Sequence, residues 1–301
     1  MLHNIGEITY KQIIFLGLAI LAGLLFFGAG GLVLARAFWS EGDILAASSY
    51  ILDSPARLNF MRYLQFLTMF GTFFFPAVAL AAVTYKPKEF LYLNRGLDWQ
   101  RIIMMLVLWV ILLPIINALM IWNQGMHLPE SMATIEEWMR DKEALLTGIT
   151  EKFVMTDSFG ALMANLLVMA VLPALGEEFI FRGILMKWFS KSMNIHLAII
   201  LSAAIFSAIH MQFLGFIPRF FLGIVLGYVF YWSGSLWASI WLHFINNAMT
   251  VIMYFLVARG MVDMDPDTVG TTDSTLMLMA NTLMFIAVMY WFWRKRIAFK
   301  L

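Results

Sequence analysis

The sequence predicts an all-α, polytopic membrane protein with about eight transmembrane helices. Three observations predict it. Of its residues, 62% are hydrophobic and 13% are charged, where a soluble domain carries about 25% charged residues. A soluble chain of this size has nowhere to hide so much apolar surface. Several apolar runs reach the ~20 residues a helix needs to cross a ~30 Å hydrocarbon core. Inside such a core the backbone must satisfy its own hydrogen bonds, which leaves helices or a closed barrel. These runs are long and continuous rather than ~10-residue stretches of alternating polarity, so helices are expected. The net charge of +1 offers no attraction to nucleic acid. The lack of cysteine excludes disulfides and thiolate metal sites. The 23 methionines and 27 phenylalanines read as lipid-facing and packing residues, and no cofactor is expected.

In chain order the spans fall at roughly 12–35, 62–84, 102–123, 160–189, 195–213, 216–233, 236–258 and 275–293. The first apolar run, Ile13 to Val33, follows Lys11. Ala35-Arg36-Ala37 has the look of a signal-peptide cleavage site, but the run exceeds the about 7–15-residue core of a signal peptide. It reads as a retained span. The fourth span is long, and Pro173 and Gly176 are placed to bend it. Before it, Met132, Ile135, Trp138, Met139, Leu145 and Leu146 recur among charges at the spacing of an amphipathic helix lying on a membrane surface. There is no internal repeat, low-complexity tract or soluble domain. The chain reads as a single transmembrane domain, 1–301, whose helices over 160–258 carry the motifs described next.

Lys/Arg bias sets the expected orientation. Lys11, then Lys86, Lys88, Arg95 and Arg101, then Lys187 and Lys191, then Arg294, Lys295, Arg296 and Lys300 collect at one end of the spans. The acidic segments 130–157 and 263–273 collect at the other. The basic end and both termini are therefore expected in the cytoplasm, with the protein in the cell's inner (plasma) membrane.

Ionisable side chains inside a bilayer cost roughly 2.5–3.5 kcal/mol each on insertion scales and are functional candidates by default. Three places break the apolar pattern. In the fourth span, Glu178 and Arg182 are four apart and share a helix face, with the acid N-terminal, the better order for a pair. Glu177 sits about 100° away without that partner. An unpaired carboxyl in a low-dielectric setting is the kind of group that works as a general base near neutral pH. In the fifth span, the spacing puts the Phe206 ring beside His210. In the seventh, His243 and Asn247 are four apart and can donate to one point. At ~1.5 Å per residue, Glu177, His210 and His243 fall roughly 18, 22 and 11 Å below the inner surface, broadly one layer. Taken singly, each has a plain structural reading: an ion pair, an interhelical hydrogen bond, or amide packing by Asn246 and Asn247. Together they bring an acid, two histidines and an amide to one depth. His3, His127 and His196 lie in loops or at span ends and receive no role. Asp53, Arg62 and Arg219 lie near span ends and call for no explanation.

The set Glu177-Glu178-x-x-x-Arg182, Phe206-x-x-x-His210 and His243-x-x-x-Asn247, in that order and inside spans, resembles the CPBP family. That family includes type II CAAX prenyl proteases and bacterial proteins linked to bacteriocin processing and immunity. The resemblance covers about residues 160–250. It implies an intramembrane glutamic endopeptidase with an eight-helix fold and a site within the membrane core that opens toward the cytoplasm. It further implies that Glu177 with His210 activates the attacking water, and that His243 with Asn247 forms the oxyanion hole. Glu178, Arg182 and Phe206 would organise the site, with neither metal nor cofactor. The partners would be membrane lipids and a peptide or lipidated protein substrate.

Other chemistries use the same residues. Two histidines and a glutamate suit a zinc metalloprotease, although no HExxH is present. A polar layer also suits a transport pathway, although no matching pair of broken helices marks repeated halves. A peptide-binding or immunity protein would hold a peptide without cutting it. Ser207 lies on a different face from His210, so a serine nucleophile is not expected.

Overall fold

The computed structural model describes residues 9–84 and 86–297; His3 and Lys300 lie outside them. The described residues form helices and no strands. Helix α1 spans Tyr10–Ala35. Thr9 and Gln12 close a capping box at its start. A short α2, Glu41–Ser48, leads to α3, Pro55–Ala82, which starts with Ser54 as cap and proline in the first turn. Helix α4 is Trp99–Gln124 and α5 is Ala133–Val154. Helix α6, Phe159–Phe189, is followed by α7, Ile195–Ala208. Helices α8, Phe213–Ser233, α9, Leu236–Ala258, and α10, Thr275–Arg294, complete the bundle.

Seven of these helices are long and apolar enough to cross a membrane. The eighth expected span is α7, which has only 14 residues, about 21 Å of helix at 1.5 Å per residue. The chain leaves the helix after Ala208 and turns through Met211, whose φ of 54° lies in the left-handed region. A bulky side chain seldom adopts that conformation. His210 sits in this turn rather than inside a continuous span.

Helix α6 is the centre of the bundle, with nearly every side chain from Leu172 to Met186 buried. Below Glu177, an apolar cluster joins α6 (Phe179, Ile184, Met186) to Phe90, Leu91, Phe230 and Leu236. A second cluster joins α4, α8, α9 and α10 through Leu108, Leu112, Leu226, Leu242 and Phe292. The outermost helices expose apolar side chains such as Leu25, Phe26, Leu276 and Leu283, the surface a lipid environment accepts.

Proline shapes two helices in the same manner. Pro76 in α3 and Pro173 in α6 each follow directly on a π-helical turn, Phe70–Phe74 and Leu167–Val171. A proline cannot donate, and its ring crowds the carbonyl four residues back. The widened turn accommodates both effects without breaking the helix. A further π-helical stretch, Phe179–Met186, begins directly after Glu178.

Two arginines that looked unremarkable at span ends are engaged in the interior. Arg62 is buried. Its guanidinium donates to Asn165 Oδ1 at 2.7 Å, Asn59 Oδ1 at 2.8 Å and the Phe153 carbonyl at 3.3 Å, knotting α3 to α6 and to the end of α5. Helix α5 lies across the start of α8: Glu143 accepts the Leu214 N–H and Trp138 packs on Phe213. At its first turn the Leu128 backbone N–H, with Arg140 and His127, holds the Glu136 carboxyl down at about 2.

Close helix approach at the level of the glutamates depends on glycine. A Cβ on Gly176 would meet Phe73 Cβ at 2.8 Å and Phe74 N at 3.1 Å; one on Gly223 would meet Ala203 Cβ at 2.9 Å. Backbone or Cβ atoms cannot swing aside. Gly176→Val and Gly223→Val should each cost about 1–3 kcal/mol through overpacking. The check is thermal unfolding of purified protein in one detergent, where a midpoint equal to wild type for both would show that the helices are not in contact here.

Candidate active site

Helix α6 delivers Glu177 and Glu178, which are 3% and 0% exposed. Neighbours on a helix point about 100° apart, and the two carboxyls meet different surroundings. Glu178 Oε1 accepts from Arg182 Nη1 at 2.6 Å and from His243 Nδ1 at 2.9 Å. Arg182 Nη2 donates to the Gly223 carbonyl at 3.0 Å, and the guanidinium lies 4.6 Å over the Phe206 ring. The other oxygen of Glu178, Oε2, and Glu177 Oε2 have no hydrogen-bond partner in the protein. His243 Nε2 lies 3.9 Å from Glu177 Oε2, too far for a direct hydrogen bond.

Phe206 is the apolar hub. Its ring meets His210 edge-on at 5.1 Å and His243 edge-on at 5.8 Å. His210 Nδ1 lies 2.8 Å from the Phe206 carbonyl. A carbonyl only accepts, so Nδ1 carries a proton, and in the neutral ring Nε2 keeps its lone pair. The same reasoning assigns a proton to His243 Nδ1, facing the Glu178 carboxylate, which leaves Nε2 turned toward Glu177.

The amides of α9 are partly committed. Asn247 Nδ2 donates to the Met169 carbonyl at 3.1 Å, and Asn246 Nδ2 donates to Asn247 Oδ1 at 3.2 Å. Ser207 gives its hydroxyl proton to the Phe216 carbonyl at 2.7 Å and is not poised as a nucleophile. Among the described residues, no group of three His, Cys, Asp or Glu side chains is arranged to hold a metal ion.

Glu177, Phe206, His210, His243, Asn246 and Asn247 line a cavity of about 340 Å³. Glu178 and Arg182 lie behind its wall. The three motifs, drawn from α6, the end of α7 and α9, thus meet around one space.

Residues 159–249 match the family model Type II CAAX prenyl endopeptidase Rce1-like. The matched segment runs from the start of α6 into α9 and contains every motif residue named above. It agrees with the resemblance drawn from the motifs and supports CAAX-type intramembrane protease activity in general terms. Proteases of that family act on lipidated or membrane-associated peptides. With its spanning helices, the chain is an integral membrane protein. No curated protein and no solved structure matches the chain.

The Rce1-like segment does not build the cavity alone. Gln65 and Met69 from α3 and Ile116 and Met120 from α4 form part of the wall. Arg219 also lines it, donating to Gln212 Oε1 at 2.9 Å and to the Gln212 carbonyl at 3.4 Å. Sequence reading passed over Gln65, Arg219 and the wall position of Asn246. The signal was present for the first two: each is a strongly polar side chain within an apolar run.

The buried ion pair behind the wall makes an asymmetric prediction. Removing one partner leaves an uncompensated charge, a loss of about 3–5 kcal/mol, whereas replacing both with apolar groups is far milder. Arg182→Leu should therefore unfold at much lower temperature or denaturant than wild type. The double variant Glu178→Leu with Arg182→Leu should recover most of the loss. A single variant as stable as wild type would show that the pair is not buried as described.

Proposed function

We propose that this protein is an intramembrane endopeptidase of the glutamic type, hydrolysing peptide bonds in membrane-associated or lipidated peptides. One observation carries the reading. Two adjacent glutamates are buried together, yet Glu178 is bonded to an arginine and a histidine behind the wall while Glu177, without such a pair, lines the cavity. A paired acid is scaffolding; an unpaired one facing a space is available to chemistry.

In this mechanism Glu177 takes a proton from water, and the hydroxide oxygen attacks the scissile carbonyl carbon. His210, with the Nε2 lone pair free, holds that water by accepting its second proton in a hydrogen bond. The peptide C–N bond then breaks, and Glu177 returns the proton to the leaving amine. His243 and Asn247 are the proposed oxyanion donors. Asn247 has one N–H beyond that given to Met169. His243 donates there only when Nε2 carries a second proton, because its Nδ1 proton is directed at Glu178. Glu178, Arg182 and Phe206 hold the two histidines in place. No covalent intermediate is required, in keeping with an occupied Ser207 hydroxyl and a chain without cysteine. The catalytic unit in this reading is the stretch 160–258 within one transmembrane domain.

Cleavage of a membrane-anchored reporter peptide by purified protein in proteoliposomes tests this. Glu177→Gln and His210→Ala should each lower the rate to background. Asn247→Ala should lower it by roughly 10²–10³, the usual cost of one oxyanion donor. Each variant should unfold at close to the wild-type temperature. Near-wild-type cleavage by folded Glu177→Gln would sink the glutamic mechanism. Loss of cleavage on chelation, restored by zinc, would favour the metalloprotease instead.

A further inference from the structure

The two ends of the bundle differ in charge and in closure, and the difference bears on where the substrate comes from. One end gathers Lys86, Lys88, Arg95, Arg101, Lys187, Lys191 and the Arg294–Arg296 run. At the other end lie α5, with Glu136, Glu137, Asp141 and Glu143 beside Arg140, Lys142 and Lys152, the segment between α9 and α10, with Asp263, Asp265, Asp267 and Asp273, and Arg36, Arg57 and Arg259, so the Lys/Arg excess lies at the first end. The positive-inside rule places the basic end in the cytoplasm.

The cavity does not reach that basic end. Between the glutamates and the basic surface lies the apolar cluster of Phe90, Leu91, Ile184, Met186, Phe230 and Leu236. Over it the 86–97 segment is fastened to the turn between α8 and α9. The Leu236 N–H donates to the Tyr92 carbonyl at 3.1 Å and Trp237 Nε1 donates to the Leu93 carbonyl at 3.1 Å. Ser235 Oγ donates to the Arg95 carbonyl, and Lys187 Nζ to the Phe90 carbonyl at 3.4 Å. From Glu177 and His243 the cavity wall instead climbs the opposite way. Helix α4 contributes Ile116 and Met120, close to its last residue, Gln124. Helix α8 contributes Gly215, Pro218 and Arg219 at its beginning. That these two helix ends share one face is fixed by Asn123, which donates to the Phe213 carbonyl and accepts the Ile217 N–H. The cavity therefore points at the acidic end.

We propose that the cavity opens to the non-cytoplasmic side of the membrane and receives peptide segments presented on that side. This differs from the cytoplasmic opening that the family resemblance implies. As a statement about substrate it rests on the proteolytic reading of the same site, but the direction of the cavity does not.

The chain has no cysteine, so single cysteines report access without background. Met120→Cys marks the mouth, Thr272→Cys the acidic end and Lys88→Cys the basic end. Intact cells expressing each full-length variant are treated with a membrane-impermeant maleimide, before and after permeabilisation. Met120→Cys and Thr272→Cys should label in intact cells, and Lys88→Cys only after permeabilisation. Labelling of Lys88→Cys but not Thr272→Cys in intact cells would overturn the orientation. Failure of Met120→Cys to label in either state would overturn the opening. A second arm uses one reporter peptide tethered by a membrane anchor on either face of the membrane. Cleavage only on the outer face, absent in Glu177→Gln, is expected; cleavage only on the inner face would overturn the proposal. If neither is cut while the labelling pattern holds, the proteolytic reading fails and the cavity's direction stands.

Discussion

Two glutamates, an arginine and a histidine inside an apolar bundle set the terms for everything around them. A charge taken out of water is costly unless it is paired and fully hydrogen-bonded. Arg182 meets that condition by dividing its donors between Glu178 and the Gly223 carbonyl while resting on the Phe206 ring. Glu178 is paired through one oxygen, Oε1, which accepts from both Arg182 and His243. These bonds demand that α6, α7, α8 and α9 approach closely; Gly223 supplies the room between α8 and α7, and Gly176 lets α3 close on α6 at the same level. The glycines, the ion pair and the histidine rotamers are therefore one requirement seen from several residues.

The same network separates the two acids chemically. Because His243 turns its Nδ1 to Glu178, its other nitrogen faces Glu177 without reaching it. Both acids keep one oxygen without a protein partner, but only Glu177 faces the cavity, with His210 and the α9 amides. A scaffold that anchors one carboxylate through Oε1 also fixes where the neighbouring one points.

Much of this was legible in the sequence because it is local. Span positions follow from run length and hydropathy, and the Glu178–Arg182 pair and the Phe206–His210 contact follow from four-residue spacing. What escaped was set by contacts between distant segments. The end of α7 at Ala208 depends on a left-handed turn at Met211, which apolar patterning through Ile209 does not show. The bond from His243 to Glu178 links residues on different helices and claims a proton that spacing alone had aimed, with that of Asn247, at one shared point. Arg62 called for no explanation because it stands near a span boundary; only the packing of α3 on α6 reveals Asn165 as its partner. Arg219 was set aside for the same reason.

The widened turn at Leu167–Val171 sets the rotational phase of α6. An extra residue in a helix turns everything beyond it by about 100°, the same angle that separates Glu177 from Glu178. Loss of one residue there would carry Glu178 into the position of Glu177 and withdraw Arg182 from Gly223. Insertions and deletions that a loop would tolerate are thus barred from this stretch of a lipid-embedded helix. The proline that follows it holds the phase in place by making a return to regular winding unfavourable. In this protein the angular setting of one helix is as much a part of the site as the side chains it displays.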